Sequence, residues 1–359
     1  KGIGKNISME QKIKRPTMAD IAERAGVGIA TVDRVLSGRR KVRGENVRRV
    51  FEAAAELGYH ATPVIKYRLQ QHLSQATFGF VLPKKSQNFY QNLTAALQME
   101  SETFPHLNVS VKFHYLETQD PSEHAECLRA LGREVDVIAA STVDHSHVDR
   151  AVSDLVEQGI PVFAFLNDFS SSIRRKFIGL DNHRAGRQVA WMFSNTIRKP
   201  GTVTILVGSQ LWKAHQQREM GLRSFFRQSA SSFNVRDAVL NLEAREITYD
   251  MVKNIVASQE DLKGIYVAGG GGEGAINALR DSGGAGHIRL ILHPVTEETR
   301  KALDEGIVTM IVGTPIDRLS RYLIAEMAAF ILGHGAQPQS QILLSPEILI
   351  PDQAQNRGF

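Results

Sequence analysis

Cysteine is nearly missing: Cys127 stands alone in 359 residues, so no internal disulfide is available and the fold must rest on its own apolar core. A single thiol suits a reducing compartment, and the expected location is the cytoplasm. No stretch approaches the roughly 18 consecutive apolar residues of a membrane span. The basic amino terminus, Lys1–Arg15, has no apolar run behind it, so neither an anchor nor a secretion signal is expected. Catalytic signatures are missing too: there is no G-x-S-x-G elbow, no Walker pattern and no cysteine–histidine pairing. Asp144-His145-Ser146-His147 has no second ligand cluster at metal spacing, so it reads as a solvated loop and no metal or cofactor is expected. What is present is ordinary globular material, 42% hydrophobic and 23% charged, which excludes whole-chain disorder. At ~100 to 200 residues per domain the length predicts two or three domains.

The net charge of +5 is unevenly placed. Residues 1–70 hold 15 lysines and arginines against 7 acids, whereas residues 71–359 hold 28 against 31. A head of +8 on a body of −3 reads as a polyanion-binding segment joined to a ligand-type domain, the alternative being a solvated basic tail.

Periodicity gives the head a fold. Thr17 is placed to cap a helix carrying Met18, Ile21, Ala22 and Ala25 on one face, and Gly26 ends it. A second helix, Ile29 to Leu36, turns Val32, Val35 and Leu36 inward before Gly38. A third, about Glu45 to Leu57, carries Val47, Val50, Phe51, Ala54 and Leu57. Two short helices joined by a glycine turn and braced by a third follow the helix-turn-helix plan, whose second helix enters the major groove. Ile29, Ala30 and Arg34 are the candidates for base edges, with Arg34 suited to guanine O6 and N7. Thr17, Thr31, Arg39, Arg40, Lys41 and Arg43 are candidates for phosphates.

Three blocks, Thr17–Val27, Ala30–Gly38 and Ala54–Tyr59, resemble the DNA-binding head of the LacI/GalR transcription regulators. The chain departs from the family at Gly28 and Asp33, where serine is usual, and Asp33 is expected to orient Arg34. The resemblance implies a hinge helix over Pro63–Gln70, capped by Thr62, with Leu69 as the apolar wedge of a minor-groove contact. His60 and Ala61 replace the usual proline and asparagine, and a plain linker is the alternative.

From Thr77 onward apolar runs alternate with amphipathic stretches. The runs are Phe78–Leu82, Val109–Tyr115, Val135–Ala140, Pro161–Leu166, Thr202–Val207, Gly264–Ala268 and Arg289–His293, and the helical stretches include Asp149–Gly159 and Arg184–Ile197. That pattern predicts an α/β body of two parallel sheets, with ligands beyond the carboxyl ends of the strands. Ile160-Pro161-Val162, Ile178–Asn182, Ala185-Gly186-Arg187, Arg218–Leu222 and Pro346-Glu347-Ile348 resemble the type I periplasmic-binding-protein fold. The resemblance implies two subdomains, three crossovers and a cleft. The expected organisation is a leader at 1–15, the all-α head at 16–61, a hinge at 62–76 and a body at 77–359. The body's first subdomain takes approximately 77–178 with 312–335, and the second approximately 181–311 with 340–359.

Positions matching sugar-contacting positions of that fold are Gln87, Phe89, Tyr90, Ser141, Asn167, Asp168, Arg218 and His293. Gly271 joins them in the glycine run, whose backbone amides are expected to approach the ligand. Asp181 is expected either at a crossover or near the ligand. Gly269–Glu273, His293 and Gly313 stand where sugar-binding relatives carry other residues, so a sugar, polyol, sugar acid or sugar phosphate all fit. Gly269, Gly271 and Gly274 satisfy G-x-G-x-x-G, but no acid follows at the strand end about 20 residues on, as a dinucleotide site requires. The expected function is therefore a non-enzymatic, homodimeric transcription regulator, a repressor of a palindromic operator under a carbohydrate-like effector. A solute-binding receptor and an NAD-dependent enzyme are the alternatives.

Overall fold

The computed structural model describes residues 15–38, 42–62, 64–65, 73–229, 232–333 and 340–351. The chain divides into two units, Lys1–Gln75 with Pro105–Asn108 and Ala76–Phe104 with Val109–Phe359.

In the first unit, α1 spans Met18–Ala25, α2 Ile29–Ser37 and α3 Gly44–Glu56. Thr17 starts α1 through a reciprocal capping box. The Asp20 N–H reaches Thr17 Oγ1 at 3.4 Å, and the Thr17 N–H reaches the Asp20 carboxylate at 2.7 Å. Gly26 ends α1 at φ 62° and Gly38 ends α2 at φ 65°, a left-handed conformation glycine adopts without a Cβ clash. Ile21, Ala22, Ala25, Val32, Val35, Val47, Val50 and Ala54 meet in one core, with Leu36, Phe51 and Leu57 partly buried against it. Met18, expected on the buried side, is 37% exposed, because the inward stripe of α1 begins at Ile21. Ile65 is fully buried in this core, so the unit continues past the expected boundary at 61. Thr62 turns back on the unit: its hydroxyl donates to the carbonyls of Tyr59 at 2.5 Å and Ala54 at 3.3 Å. Arg39, Arg40, Lys41, Pro63 and Leu69 lie outside the described residues.

The second unit holds two sheets. The first is built from β1 Gln75–Pro83, β2 Asn108–Leu116, β3 Val137–Ala140, β4 Val162–Phe165, β5 Lys176–Leu180 and β12 Ser340–Leu344, in the order β12-β5-β4-β3-β1-β2. The second contains β6 Thr202–Val207, β7 Asn234–Val235, β8 Val239–Leu240, β9 Leu262–Val267, β10 Arg289–Leu292, β11 Val308–Gly313 and β13 Glu347–Leu349. Its order is β13-β11-β10-β9-β6-β7, with β8 also on β6. Pairing is parallel through β1, β3, β4, β5 and β12 and through β6, β9, β10 and β11, while β13 is antiparallel to β11. Every residue of β3, β4, β5 and β6 is buried, which is why most of these strands read as unbroken apolar runs.

Helices α4 Asn88–Thr103, α5 Pro121–Gly132, α6 Ser146–Glu157 and α12 Ile316–Ile331 accompany the first sheet. Helices α7 Asn182–Thr196, α8 Lys213–Gln228, α9 Arg245–Ser258, α10 Gly272–Asp281 and α11 Glu297–Asp304 accompany the second. The chain passes between the sheets three times, at β5 to α7, β11 to α12 and β12 to β13. The expected assignments shift at the crossovers: residues 340–344 belong to the first sheet, where Ser340 to Leu344 pair in register with Lys176 to Leu180. The first segment likewise runs to Leu180, and Val312 and Gly313 stay in the second sheet. Among the described residues no helix is long and apolar enough to cross a membrane.

Candidate functional site

A cavity of about 80 Å³ lies between the two sheets at the carboxyl ends of their strands. Its wall from the first sheet is Gln87, Phe89, Tyr90, Ser141, Leu166 and Asn167. The wall from the second is Trp212, Ala214, His215, Arg218, Glu243, Gly269, Gly270, His293 and Pro294, with Thr314 at a crossover. In both sheets the strand order reverses beside the first strand, at β1/β3 and β6/β9, which is where open α/β sheets bind ligands. The volume is about half of the ~150 Å³ that admits benzene.

Arg218 is set by helix packing. α7 and α8 cross backbone to backbone: a Cβ on Gly186 would sit 1.9 Å from the Arg218 carbonyl oxygen, and one on Gly221 would sit 2.0 Å from that of His183. This contact holds Arg218 beside Asn182 at the start of α7. Its Nε donates to Asn182 Oδ1 at 2.8 Å, and its Nη1 donates to the Ala268 carbonyl at 2.6 Å. Burial pulls the guanidinium's pKa below its ordinary value, while Tyr266, Glu243 and Tyr90 act against that shift.

Glu243 is the acid of the cavity wall. Its Oε1 accepts the Gly270 N–H at 3.0 Å and lies 3.6 Å from His215 Nε2, while its Oε2 lies 3.7 Å from Lys84 Nζ. Lys84 also donates to the Leu242 carbonyl at 3.0 Å, tying the end of β1 to the end of β8 across the cleft. Burial lowers the His215 pKa to about 4, against the pull of Glu243, and lowers that of His293 well below the ordinary range. Both rings are neutral at pH 7, and His293 Nε2 pairs with the Tyr266 hydroxyl at 3.0 Å. Backbone strain collects at the same place: Lys84, Leu166, Leu242 and Glu243 have φ of 43°, 60°, 54° and 53°.

Of the residues expected from sequence, Gln87, Phe89, Tyr90, Ser141, Asn167, Arg218 and His293 meet at this cavity. Asp168 does not line it. Its carboxylate is held by Arg174 at 2.5 and 3.0 Å and faces Lys213 at 3.7 Å. Gly271 is the residue before α10, with φ 90°. Gly269 and Gly270 line the cavity, and the glycines of the run are also demanded by protein packing. A Cβ on Gly269 would meet His215 at 2.5 Å, one on Gly271 would meet Thr248 at 2.3 Å, and one on Gly274 would meet the Arg245 carbonyl at 2.1 Å. Asp181 sits at the crossover, where its side chain caps α7 by accepting the Arg184 N–H at 2.9 Å.

Trp212, His215 and Glu243 were not foreseen. Trp212 and His215 follow the carboxyl end of β6, so the strand-end rule could have found them; Glu243 follows the two-residue strand β8, too short to leave a pattern. Trp212 belongs to the second half of the body yet buries its ring in the first half's core with Val143, Phe169 and Phe177. Its Nε1 is buried without a partner among the described residues.

On the head, α2 presents Ile29, 53% exposed, with Ala30, Asp33 and Arg34 outward, while Val32 and Val35 face the core. Among the described residues Arg34 has no ion pair, so Asp33 does not hold it. Other arginines of the unit are engaged internally: Arg24 pairs with Glu56 at 2.6 Å, and Arg49 donates to the Gly26 carbonyl at 3.0 Å. Thr31 is half-buried. The Thr17 hydroxyl is committed to Asp20 at 2.8 Å, which makes it a helix cap first.

A periplasmic-binding-type α/β body together with a helix-turn-helix head defines the class of this protein. Residues 78–335 match the periplasmic binding protein domain and residues 17–62 the bacterial regulatory proteins of the lacI family. The chain belongs to the LacI-type transcription regulators, a family of non-enzymes. It is similar to the HTH-type transcriptional regulator GntR of Escherichia coli, 29% identical over 182 residues that cover 50% of this chain and 51% of the relative. It is also similar to the HTH-type transcriptional regulator MalR of Streptococcus pneumoniae, 38% identical over 76 residues, 21% of this chain and 23% of the relative. The chain thus spans a quarter to a half of the curated relatives it matches. Its fold resembles an ABC transporter solute-binding protein from Burkholderia graminis in complex with D-arabinose, with TM-score 0.71, 20% identity and coverage of 78% of this chain and 97% of that one. A solute-binding protein from Agrobacterium vitis with bound D-fucose matches with TM-score 0.72, 14% identity and coverage of 78% and 97%.

Proposed function

We propose that the protein is a sequence-specific transcription repressor of the cytoplasm. It would bind a palindromic operator as a homodimer and be controlled by a small carbohydrate-like effector held in the body's cavity. The observation that carries this reading is the cavity itself: polar and aromatic side chains from both halves of the body converge on one space. A guest there changes how the halves meet, and a change in the body's shape is what a DNA-binding head attached to it can answer to. Gln87, Phe89, Tyr90, Ser141, Asn167, Arg218 and His293 form the effector site. Ile29, Ala30 and Arg34 read bases, with Thr17, Thr31, Arg39, Arg40, Lys41 and Leu69 as the remaining DNA contacts.

The test is selection of binding sequences from a random duplex pool, followed by fluorescence anisotropy at fixed salt with and without candidate effectors. A two-fold symmetric site bound far more tightly than random duplex is expected, with affinity altered by one compound class. Equal affinity for all duplexes overturns the reading.

A further inference from the structure

We propose that the effector carries a carboxylate, and that this group pairs with Arg218 while its hydroxyls meet the rest of the cavity wall. The proposal rests on the reading of this cavity as the effector site.

Arg218 is 9% exposed, and both of its acceptors, Asn182 Oδ1 and the Ala268 carbonyl, are neutral. Among the described residues no carboxylate lies within ion-pair distance of it, and its Nη2 makes no hydrogen bond. A buried cation without a counter-charge is costly, and proteins normally pair it.

The acid on the wall is already committed. Glu243 holds the Gly270 N–H and faces Lys84 and His215, so its charge is answered within the protein. Asp168, the next acid in sequence from a wall residue, is held by Arg174. With both histidines neutral, Lys84 and Arg218 against Glu243 leave one positive charge unmatched. A monoanionic carboxylate balances it, whereas a phosphate dianion brings one charge too many.

The remaining groups call for hydroxyls. Trp212, whose Nε1 is a buried donor without a partner among the described residues, lines the cavity together with Gln87, Ser141 and Thr314, which offer neutral donors and acceptors. The ligand class that satisfies both sets is a small polyhydroxy carboxylate, an acid of the aldonic type.

Isothermal titration of the full chain at pH 7.5 and constant ionic strength tests this. The panel is a set of aldonic acids, the amides of the same acids, the parent aldoses, the alditols and the aldose phosphates. One acid is expected to bind about 10- to 100-fold tighter than its own amide and its parent aldose, the range of one charge-assisted pair. Arg218→Gln is expected to bring acid and amide to equal affinity. The acid-to-amide ratio is read on the unaltered protein, so a poorly folding variant does not blunt the test. An aldose, alditol or phosphate that binds as well as the acid overturns the carboxylate while leaving the effector cavity intact. Absence of binding by every class overturns the cavity as an effector site as well.

Discussion

Gly186 lies so close to Arg218 that a methyl group on the glycine would stand 1.9 Å from the arginine's carbonyl oxygen. The position of the cavity's buried cation is therefore written on a different helix, in a residue with no side chain. Gly221 repeats the contact from α8 against His183.

Gly221→Val should push α7 and α8 apart, since neither facing atom is the end of a flexible side chain. Overpacking of this kind costs typically about 1 to 3 kcal/mol. The expected result is a lower unfolding midpoint, read by thermal melts, and, under the proposed function, a weakened effector response in operator binding. An unchanged midpoint would show that the crossing relaxes freely.

Lys84→Met should loosen the body. It removes the ion pair with Glu243 and the hydrogen bond to the Leu242 carbonyl, both of which span the cleft. Partly exposed pairs stabilise by about 1 kcal/mol or less, so the fold survives while the closed form loses population. Trp212, packed into the opposite half's core, reports this: its fluorescence should shift to longer wavelength in the variant.

Acid should destabilise the protein through its buried histidines. The His215 pKa is about 4 in the folded chain against an ordinary 6.5. Below the ordinary value the unfolded chain gains a proton that the buried ring refuses, so the unfolded state binds more protons. The stability is complete above pH about 6.5 and is lost as pH falls toward 4, at up to ~1.4 kcal/mol per pH unit for each such group. Denaturant titrations at pH 7.5, 6 and 5 should show the decline, and His215→Gln should flatten it.

Arg34→Ala should relax sequence preference on DNA. A guanidinium without an ion-pair partner among the described residues is available to a base edge, and loss of one such contact costs about 1 to 3 kcal/mol at its position in the site. Competition against single-base operator variants measures it: discrimination should fall at one base pair and persist elsewhere.

Gly28→Ser should stabilise the head. Gly28 caps α2 with φ −71° and ψ 149°, has no side chain to bond the helix amides, and has open space where a Cβ would go. Serine for glycine at an N-cap is worth a few tenths of a kcal/mol, about 0.3. Thermal melts of the isolated substitution should show a small rise.

The sequence made the head legible because its caps, turns and apolar stripe agree: Thr17, Gly26 and Gly38 fall at element ends, and Val32 and Val35 point inward. Strands such as Thr202–Val207 were equally plain, since burial on both faces leaves an unbroken apolar run. β12 and β13 were not. Each lies at a sheet edge, with burial on few positions, and carries no continuous apolar signal. Seven cavity residues were legible as strand-end positions that match the resembled fold, whereas Asp168 lies off the cavity wall because a neighbouring position in sequence says nothing about which way a side chain turns. Its partner Arg174, six residues on, has no motif of its own.

The three passages between the sheets also set a timetable for synthesis. The first sheet has five of its strands once Leu180 is made, but β5 keeps an open edge until Ser340–Leu344 arrives to pair with it. At ~5 to 20 residues per second the ribosome needs on the order of ten seconds to make the intervening segment. During that interval the nascent chain offers an unpaired, buried-type strand to any passing partner. A stop codon just before residue 340 would leave both halves incomplete, the first without β12 and the second without β13.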